Sequence, residues 1–246
     1  MKNVHSILIM FLSVMIGCGK NNQSANEIST VDVTAKYPYK ELILQDFMDV
    51  EYIPLETTDE FLCMGSLWGV GKDVIVATNF NSDGNIFIFD RKGKALKKIN
   101  RKGQGNEEYS SYSRIILDEE KREIFVNNSF AKKIQVYDLE GNFKRDLPIQ
   151  KELSLFEMYN FDKDNLICHD DFPRNTGQSF MLISKQDGSI TQEITIPFKE
   201  KKSIYVRVED KTVEGQYFVY SPQCKHPIMP YYNSYILTEY SADTLY

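Results

Sequence analysis

Between Met64 and Pro197 the apolar residues come in short runs broken by polar turns, and the 3.6-residue spacing of an amphipathic helix is absent. Ile86-Phe87-Ile88-Phe89-Asp90-Arg91-Lys92-Gly93-Lys94-Ala95-Leu96 reads as a strand, a D-x-x-G turn and a second strand. Ile134-Gln135-Val136-Tyr137-Asp138-Leu139-Glu140-Gly141-Asn142-Phe143 is the same unit, and Phe180 to Ile190, turning at Asp187-Gly188, is a looser copy. The turn glycines Gly93, Gly141 and Gly188 recur at intervals of 48 and 47. An acidic side chain accepts backbone N–H bonds in such a turn, and glycine supplies the positive φ. A second unit alternates with the first. Lys72 to Val76, Lys121 to Val126 and Lys163 to Ile167 each place a polar turn before an apolar strand. Each has another apolar strand just upstream, at Leu67 to Val70, Ile115 to Leu117 and Met158 to Phe161. Four strands in each period of about 40–50 residues predict an all-β chain built of β-propeller blades. A β-sandwich, the rival all-β fold, requires no period.

The N-terminus has a different pattern. Lys2 is the only charge in the first eighteen residues, and the apolar run Ile7 to Ile16 ends at Gly17-Cys18-Gly19. The run is shorter than the roughly 20 apolar residues of a spanning helix. Charge, apolar core, small residue and cysteine in that order predict a lipoprotein signal peptide over 1–17 and acylation of Cys18. A polar tether follows, 18–40, and a propeller domain over 41–246. That places the chain in the cell envelope, held outside the cytoplasm by lipid, on the periplasmic face or the cell surface, with the outer membrane favoured.

Charge narrows the partners. The net charge of −6 becomes −7 once Lys2 is removed, and the isoelectric point is near 5.3. That argues against nucleic acid and against electrostatic adhesion to anionic lipid, so the acyl chains must hold the membrane. Cys63, Cys168 and Cys224 remain, too scattered for a disulfide framework or a zinc site, though one pair among them stays open. Cys168, inside an apolar run, reads as a core residue. No metal or cofactor is predicted.

Several segments also match a known group. Tyr52-Ile53-Pro54-Leu55-Glu56-Thr57 resembles an I-P-L-E-T lead-in to a first blade, and Ile86 to Gly93 an I-x-x-F-D-x-x-G hairpin. Gly103-Gln104-Gly105-Asn106-Glu107-Glu108-Tyr109 resembles a G-x-G-P-G-E-Y loop with Asn106 and Glu107 in place of Pro and Gly, and Asp243-Thr244-Leu245-Tyr246 resembles D-T-I-Y. In combination the chain resembles the six-bladed β-propeller lipoproteins of Bacteroides-type bacteria, relatives in fold of NHL-repeat and TolB-like propellers. The resemblance implies a fold and an address, and no reaction. About three and a half repeats are recognisable, which suggests a fragment of a longer propeller, with no function of its own as one alternative, or self-association across open blade edges, or a poorly stable partial solenoid.

Candidate chemistry is sparse. Arg101-Lys102-Gly103-Gln104-Gly105 lacks the G-K-[ST] ending of a phosphate loop and reads as a loop between blades. His169-Asp170-Asp171 pairs an imidazole with carboxylates at a strand end, the one hint of a propeller-type hydrolase or lyase. No nucleophile-elbow or zinc-protease pattern is present. Tyrosines crowd the C-terminal third, among them Tyr205, Tyr217, Tyr220, Tyr240 and Tyr246, and Tyr231, Tyr232 and Tyr235 are candidates to stack on a sugar or anchor a protein. Pro222 to Pro230 carries three prolines and is expected as an exposed loop or rim insertion. The reading is therefore a lipid-anchored binding or scaffolding module for a protein or glycan, with no identifiable catalytic site. Substitution Cys18→Ala is expected to move the chain from the membrane pellet to the soluble envelope fraction; retention of the variant in the pellet would refute the lipid anchor.

Overall fold

A computed structural model describes residues 32, 34–79, 83–170, 179–200, 202, 206–209, 212, 215–220, 226–242 and 245–246. Cys18, Asp171, Tyr205, Pro222, Cys224, Asp243 and Thr244 lie outside the described residues. The chain divides at Val50/Glu51 into two units. In the first, the described residues form a single 3-10 turn, Leu44–Asp46.

The second unit, Glu51–Tyr246, is all-β. Sheet 1 comprises β1 (Ser66–Val70), β2 (Val74–Thr78), β3 (Asn85–Asp90) and β4 (Ala95–Asn100). Sheet 2 comprises β5 (Arg114–Asp118), β6 (Glu123–Asn128), β7 (Lys133–Asp138) and β8 (Phe143–Pro148). Sheet 3 comprises β9 (Leu155–Asn160), β10 (Asn165–Asp170), β11 (Phe180–Ser184) and β12 (Ile190–Ile194). Each is a four-stranded antiparallel meander in chain order. Two hairpins follow, β13 (Val206–Glu209) with β14 (Tyr217–Tyr220), and β15 (Ile228–Tyr231) with β16 (Ser234–Leu237).

Alternation of side chains explains how the sheets stack. A strand sends successive residues to opposite faces, and the middle strands are apolar on both. From β6, Ile124 and Val126 pack with Val76, Ile86 and Ile88 of sheet 1. Phe125, between them, packs on the other face with Met158, Leu166 and Cys168 of sheet 3. Sheet 3 repeats the arrangement, its Ile167, Phe180 and Leu182 meeting Ile228 and Leu237 of the last hairpin. On the outer face of sheet 1, Ile53, Leu55 and Phe61 cover Phe87 and Phe89. The first strands β1, β5 and β9 are neighbours in that order, and Gly69 permits the approach, since a Cβ there would meet the Leu117 Cβ at 2.9 Å. Burial falls away toward the fourth strands: β6 is buried throughout, whereas β4 is mostly exposed. Stacked meanders sharing a line of first strands are propeller-like.

Directional bonds fix how one sheet meets the next. The carbonyl at each β3–β4-type turn accepts a donor from the preceding element. Gly93 takes the Glu56 N–H at 2.7 Å, Gly141 takes Arg101 Nε at 3.0 Å, and Lys185 takes Arg145 Nε and Nη2 at 3.0 and 2.8 Å. Arg145 also forms a two-pronged pair with Glu123 at 2.9 and 2.8 Å. In the first two turns Asp90 and Asp138 accept the N–H groups of the residues two and four further on. Gly93 cannot be replaced cheaply. Its φ is +81°, and a Cβ would lie 2.0 Å from the Pro54 carbonyl oxygen.

The third turn departs from the other two. Lys185 follows the strand, the turn is one residue longer, and the Ser184 hydroxyl accepts the Gln186 N–H in place of an aspartate. Lys185 is turned inward, its side chain 1% exposed, and Nζ lies 2.7 Å from Asp118 Oδ2 of sheet 2, itself 3% exposed.

One sequence expectation needs correcting. Within Pro222 to Pro230, the described part is not an exposed loop: Ile228 is fully buried, and Ile228–Tyr231 is a strand. Pro230 is tolerated because its partner is Tyr235, one step from the Tyr231–Ser234 pair that closes the hairpin. At that non-hydrogen-bonded position the missing N–H would have pointed away from β16.

The buried ion pair yields a stability prediction. Lys185→Met should leave Asp118 without its counter-charge and cost about 3–5 kcal/mol, with much of the loss recovered in the Asp118→Asn, Lys185→Met double variant. Urea unfolding midpoints of the three proteins measure both effects.

Candidate functional site

Among the described residues, β1, β5 and β9 are each the edge strand of their sheet, and a groove of about 670 Å³ runs along them. β1 and the turn after it contribute Trp68 to Asp73, β5 contributes Arg114 to Leu117, and β9 contributes Met158 to Asn160. Pro230 and Tyr235 from the last hairpin close one side.

Arg114 is the centre of the groove's chemistry. It opens β5, so its side chain leaves the strand where the apolar run begins. The guanidinium carbon lies 4.3 Å from the Tyr159 ring centre and 5.7 Å from that of Trp68, close enough to both for cation–π attraction. Nε donates to the Met158 carbonyl at 3.2 Å, and Nη1 donates to Glu157 Oε1 at 3.3 Å. Trp68 is anchored by its indole N–H on the Thr78 hydroxyl, 2.8 Å away, and Tyr112 stands edge-on to it. The Tyr235 hydroxyl donates to the Asn160 carbonyl, and its ring packs against Tyr159 and Phe161. Burial pushes the Tyr159 and Tyr235 hydroxyls above the usual tyrosine range, so both stay neutral near pH 7. Two acceptors beside this cluster, Glu157 Oε2 and Asn160 Oδ1, are enclosed and have no hydrogen-bond donor.

At the other end, Glu119 caps the β1–β2 turn. Its carboxylate accepts the N–H groups of Lys72, Asp73 and Val74, the last two at 2.7 and 3.0 Å. Burial would raise the Glu119 carboxyl, but these donors outweigh it and hold the group below the usual range.

The residues singled out from sequence are not brought together. Tyr235 lines the groove. Tyr231 and Tyr232 sit at the tip of the β15–β16 hairpin, edge-to-face with each other at 4.8 Å, and Tyr232 is 92% exposed. His169 lies against the Phe180 ring, pairs with Glu157 in the sheet, and is about 10 Å along β10 from Leu166, the partner of Asn160. Asp170 is buried, and its carboxylate accepts the Ser154 N–H at 3.0 Å. Cys168 is buried, and burial drives its thiol far above the usual range. Among the described residues, no cluster of three or more His, Cys, Asp or Glu side chains is placed to hold a metal ion. Trp68, Arg114 and Tyr159 escaped the sequence reading. The available signal was that Trp68 is the chain's one tryptophan.

Fold and groove define the class: an all-β protein of propeller-like, four-stranded sheets with an aromatic, arginine-bearing groove. Residues 28–246 match the family described as a domain of unknown function (DUF4934), and the chain belongs to that family. No curated protein matches it. Among solved structures it is similar to a Bacteroides fragilis protein described as exported, with a TM-score of 0.52 and 18% identity over 75% of this chain and 52% of that one. The chain thus spans about half the length of that protein. Weaker likenesses are to virginiamycin B lyase of Staphylococcus aureus (TM-score 0.37, 17% identity, 55% of this chain and 42% of that one) and the Neurospora crassa Pan2 WD40 domain (0.35, 11%, 52% and 35%).

The depressed carboxyls give a pH prediction. Glu123 behaves like Glu119: burial opposes ionisation, and Arg145 and Lys144 overcome it. A folded-state value below the unfolded one stabilises the fold above about pH 4.3 and is lost as pH falls through the folded value. The thermal midpoint should drop on acidification below that pH, and the Glu119→Gln, Glu123→Gln double variant should show a flatter profile from a lower plateau.

Proposed function

We propose that the chain is an exported, lipid-anchored β-propeller that acts as a binding module of the cell envelope, taking a protein or glycan ligand in the groove along β1, β5 and β9. The observation that carries this reading is Arg114, 19% exposed at its side chain, with Trp68 and Tyr159 beside it in that groove. A guanidinium fixed by packing and backbone before any ligand arrives is the kind of pre-oriented group that recognition requires. Export draws support from the signal-peptide pattern and from the description of the Bacteroides fragilis neighbour. The six-bladed ring belongs to the same reading, with the three complete sheets and the two hairpins supplying part of it. The hydrolase or lyase alternative gains no specific support. His169 rests on Phe180, Asp170 accepts from Ser154, and Glu119 is engaged by three backbone donors.

Trp68 makes the test direct, because the chain's one tryptophan lies in the groove. Peptide and oligosaccharide pools from bacterial envelopes are expected to include one that changes Trp68 emission saturably in the mature chain, and Arg114→Ala should weaken that response. If no pool perturbs Trp68, the binding reading of this groove is wrong.

A further inference from the structure

Charge is distributed unevenly along the chain. Residues 91–102 hold seven basic side chains and no acidic one, in a chain whose net charge is −6. The same twelve positions of the second repeat, 139–150, carry two of each sign, and those of the third, 186–197, carry two acids and no base. The basic segment therefore belongs to sheet 1 alone, at the β3–β4 turn and along β4.

β4 is an edge strand. Arg91 and Arg101 are engaged by the Gly71 and Gly141 carbonyls. Lys92, Lys97 and Lys98 are exposed, and among the described residues no carboxylate pairs with them. The nearby Asp90 and Glu56 carboxylates are turned to backbone donors, the N–H groups of Lys92 and Lys94 for Asp90 and of Ala95 for Glu56. Lys94 shares a recess with Asp59 and Glu60, so its charge is offset. On β8 the cations are compensated: Lys144 and Arg145 pair with Glu123, and Asp146 pairs with Lys133. Lysines on an edge strand also discourage pairing between molecules. That need is common to β4, β8 and β12, whereas uncompensated positive charge is confined to β4.

Two further observations point to a lipid surface. The chain enters the β unit beside this strand, where the Gly93 carbonyl accepts the Glu56 N–H at 2.7 Å and the Glu56 carboxylate accepts the Ala95 N–H at 2.9 Å. The end of the unit that joins the tether is thus the basic one. Apolar groups also stand among the cations: Leu96 is exposed, and so is Tyr52, two residues before the Pro54 that meets the same turn. Lysine stems and tyrosine rings suit the boundary between water and hydrocarbon.

We propose that the β4 edge of sheet 1 docks on an anionic lipid surface, with Lys92, Lys97 and Lys98 against the headgroups. Lys97 pairs with Ile88 and Lys98 with Phe87, so the two leave β4 on opposite faces. Their long stems let both ammonium groups reach a surface laid against the edge. Attraction between exposed charges decays within about 8 Å at physiological salt, so the lipid meets this strand and not the average of the chain. β1 is the opposite edge of sheet 1, and docking by β4 leaves the groove along the first strands facing away from the membrane. The inference rests on the proposed lipid anchor, which brings the chain to the membrane; the basic edge then sets its orientation.

The test uses the mature chain with Cys18→Ala, which carries no acyl group. It is sedimented with vesicles of phosphatidylcholine, alone or with about 30% phosphatidylglycerol, the anionic component that a basic strand should require. Binding should need the anionic lipid and should be lost at about 0.5 M salt. Each lysine near such a surface is worth about fivefold, so the Lys92→Gln, Lys97→Gln, Lys98→Gln triple variant should bind at least about tenfold more weakly. The same three positions changed to Arg should bind as the parent does. Lys121→Gln, Lys151→Gln, Lys163→Gln, which removes equal charge from exposed positions outside sheet 1, should also bind as the parent does. Circular dichroism of each variant should match the parent. Equal weakening by both Gln triples shows net charge at work and overturns the assignment to β4. Binding to a soluble polyanion, dextran sulfate, without binding to vesicles overturns the lipid assignment. No binding to anionic vesicles at low salt overturns the proposal, while the anchor itself is judged separately by the membrane pellet of cells that carry Cys18→Ala.

Discussion

Burial of the middle strands on both faces is the constraint from which the rest of the structure follows. Sheet 2 alone would present Ile124 and Val126 to water on one side and Phe125 and Val136 on the other. Each sheet therefore requires two neighbours, and a repeat is stable only within an array. Apolar contact is non-directional, so it cannot set the angle between sheets. That task falls to the turn carbonyls of Gly93, Gly141 and Lys185, each held by a donor from the preceding element.

The sheets were legible because their determinants are local. A D-x-x-G turn carries its own acceptor and its own positive-φ residue, and Asp90, Gly93, Asp138 and Gly141 do what that chemistry demands. The third copy reads as looser for a reason that sequence does not disclose: Lys185 serves a partner 67 residues away, and Ser184 takes over the turn. Pro230 misled for the opposite reason. Proline is a strand breaker only where its N–H is needed, and register, a property of two segments, decides that. The Gly-rich stretch was rightly assigned to a loop, but its anchoring was invisible. Gln135 and Tyr137 of sheet 2 donate to the carbonyls of Glu108 and Glu107, and Tyr109 is fully buried.

The groove was not legible, and the repeat itself concealed it. Trp68 is the third residue of β1, Arg114 the first of β5 and Tyr159 the fifth of β9. Aligning the repeats sets these residues at different positions, so no column shows a shared motif. Of the tyrosine cluster, Tyr235 lines the groove, while Tyr231 and Tyr232, beside it in sequence, lie at the hairpin tip. Composition locates an enrichment of ring side chains; only the stacking of sheets decides which of them face a common space.

The constraint that builds the fold also accounts for the groove. Middle strands are consumed by packing on both faces, and fourth strands lie exposed at the far edge, but the first strands converge where further packing stops. Gly69 brings β1 against Leu117, and Glu119 ties the next turn of sheet 1 to sheet 2. With the backbones held this close, a cation at the start of β5 reaches the β9 carbonyl of Met158 and the rings of two other sheets. Partial burial would make an unsupported guanidinium expensive. Its support comes from three sheets at once, so Arg114 is oriented by the array as a whole, and a change that loosens one sheet-to-sheet contact must also loosen the site.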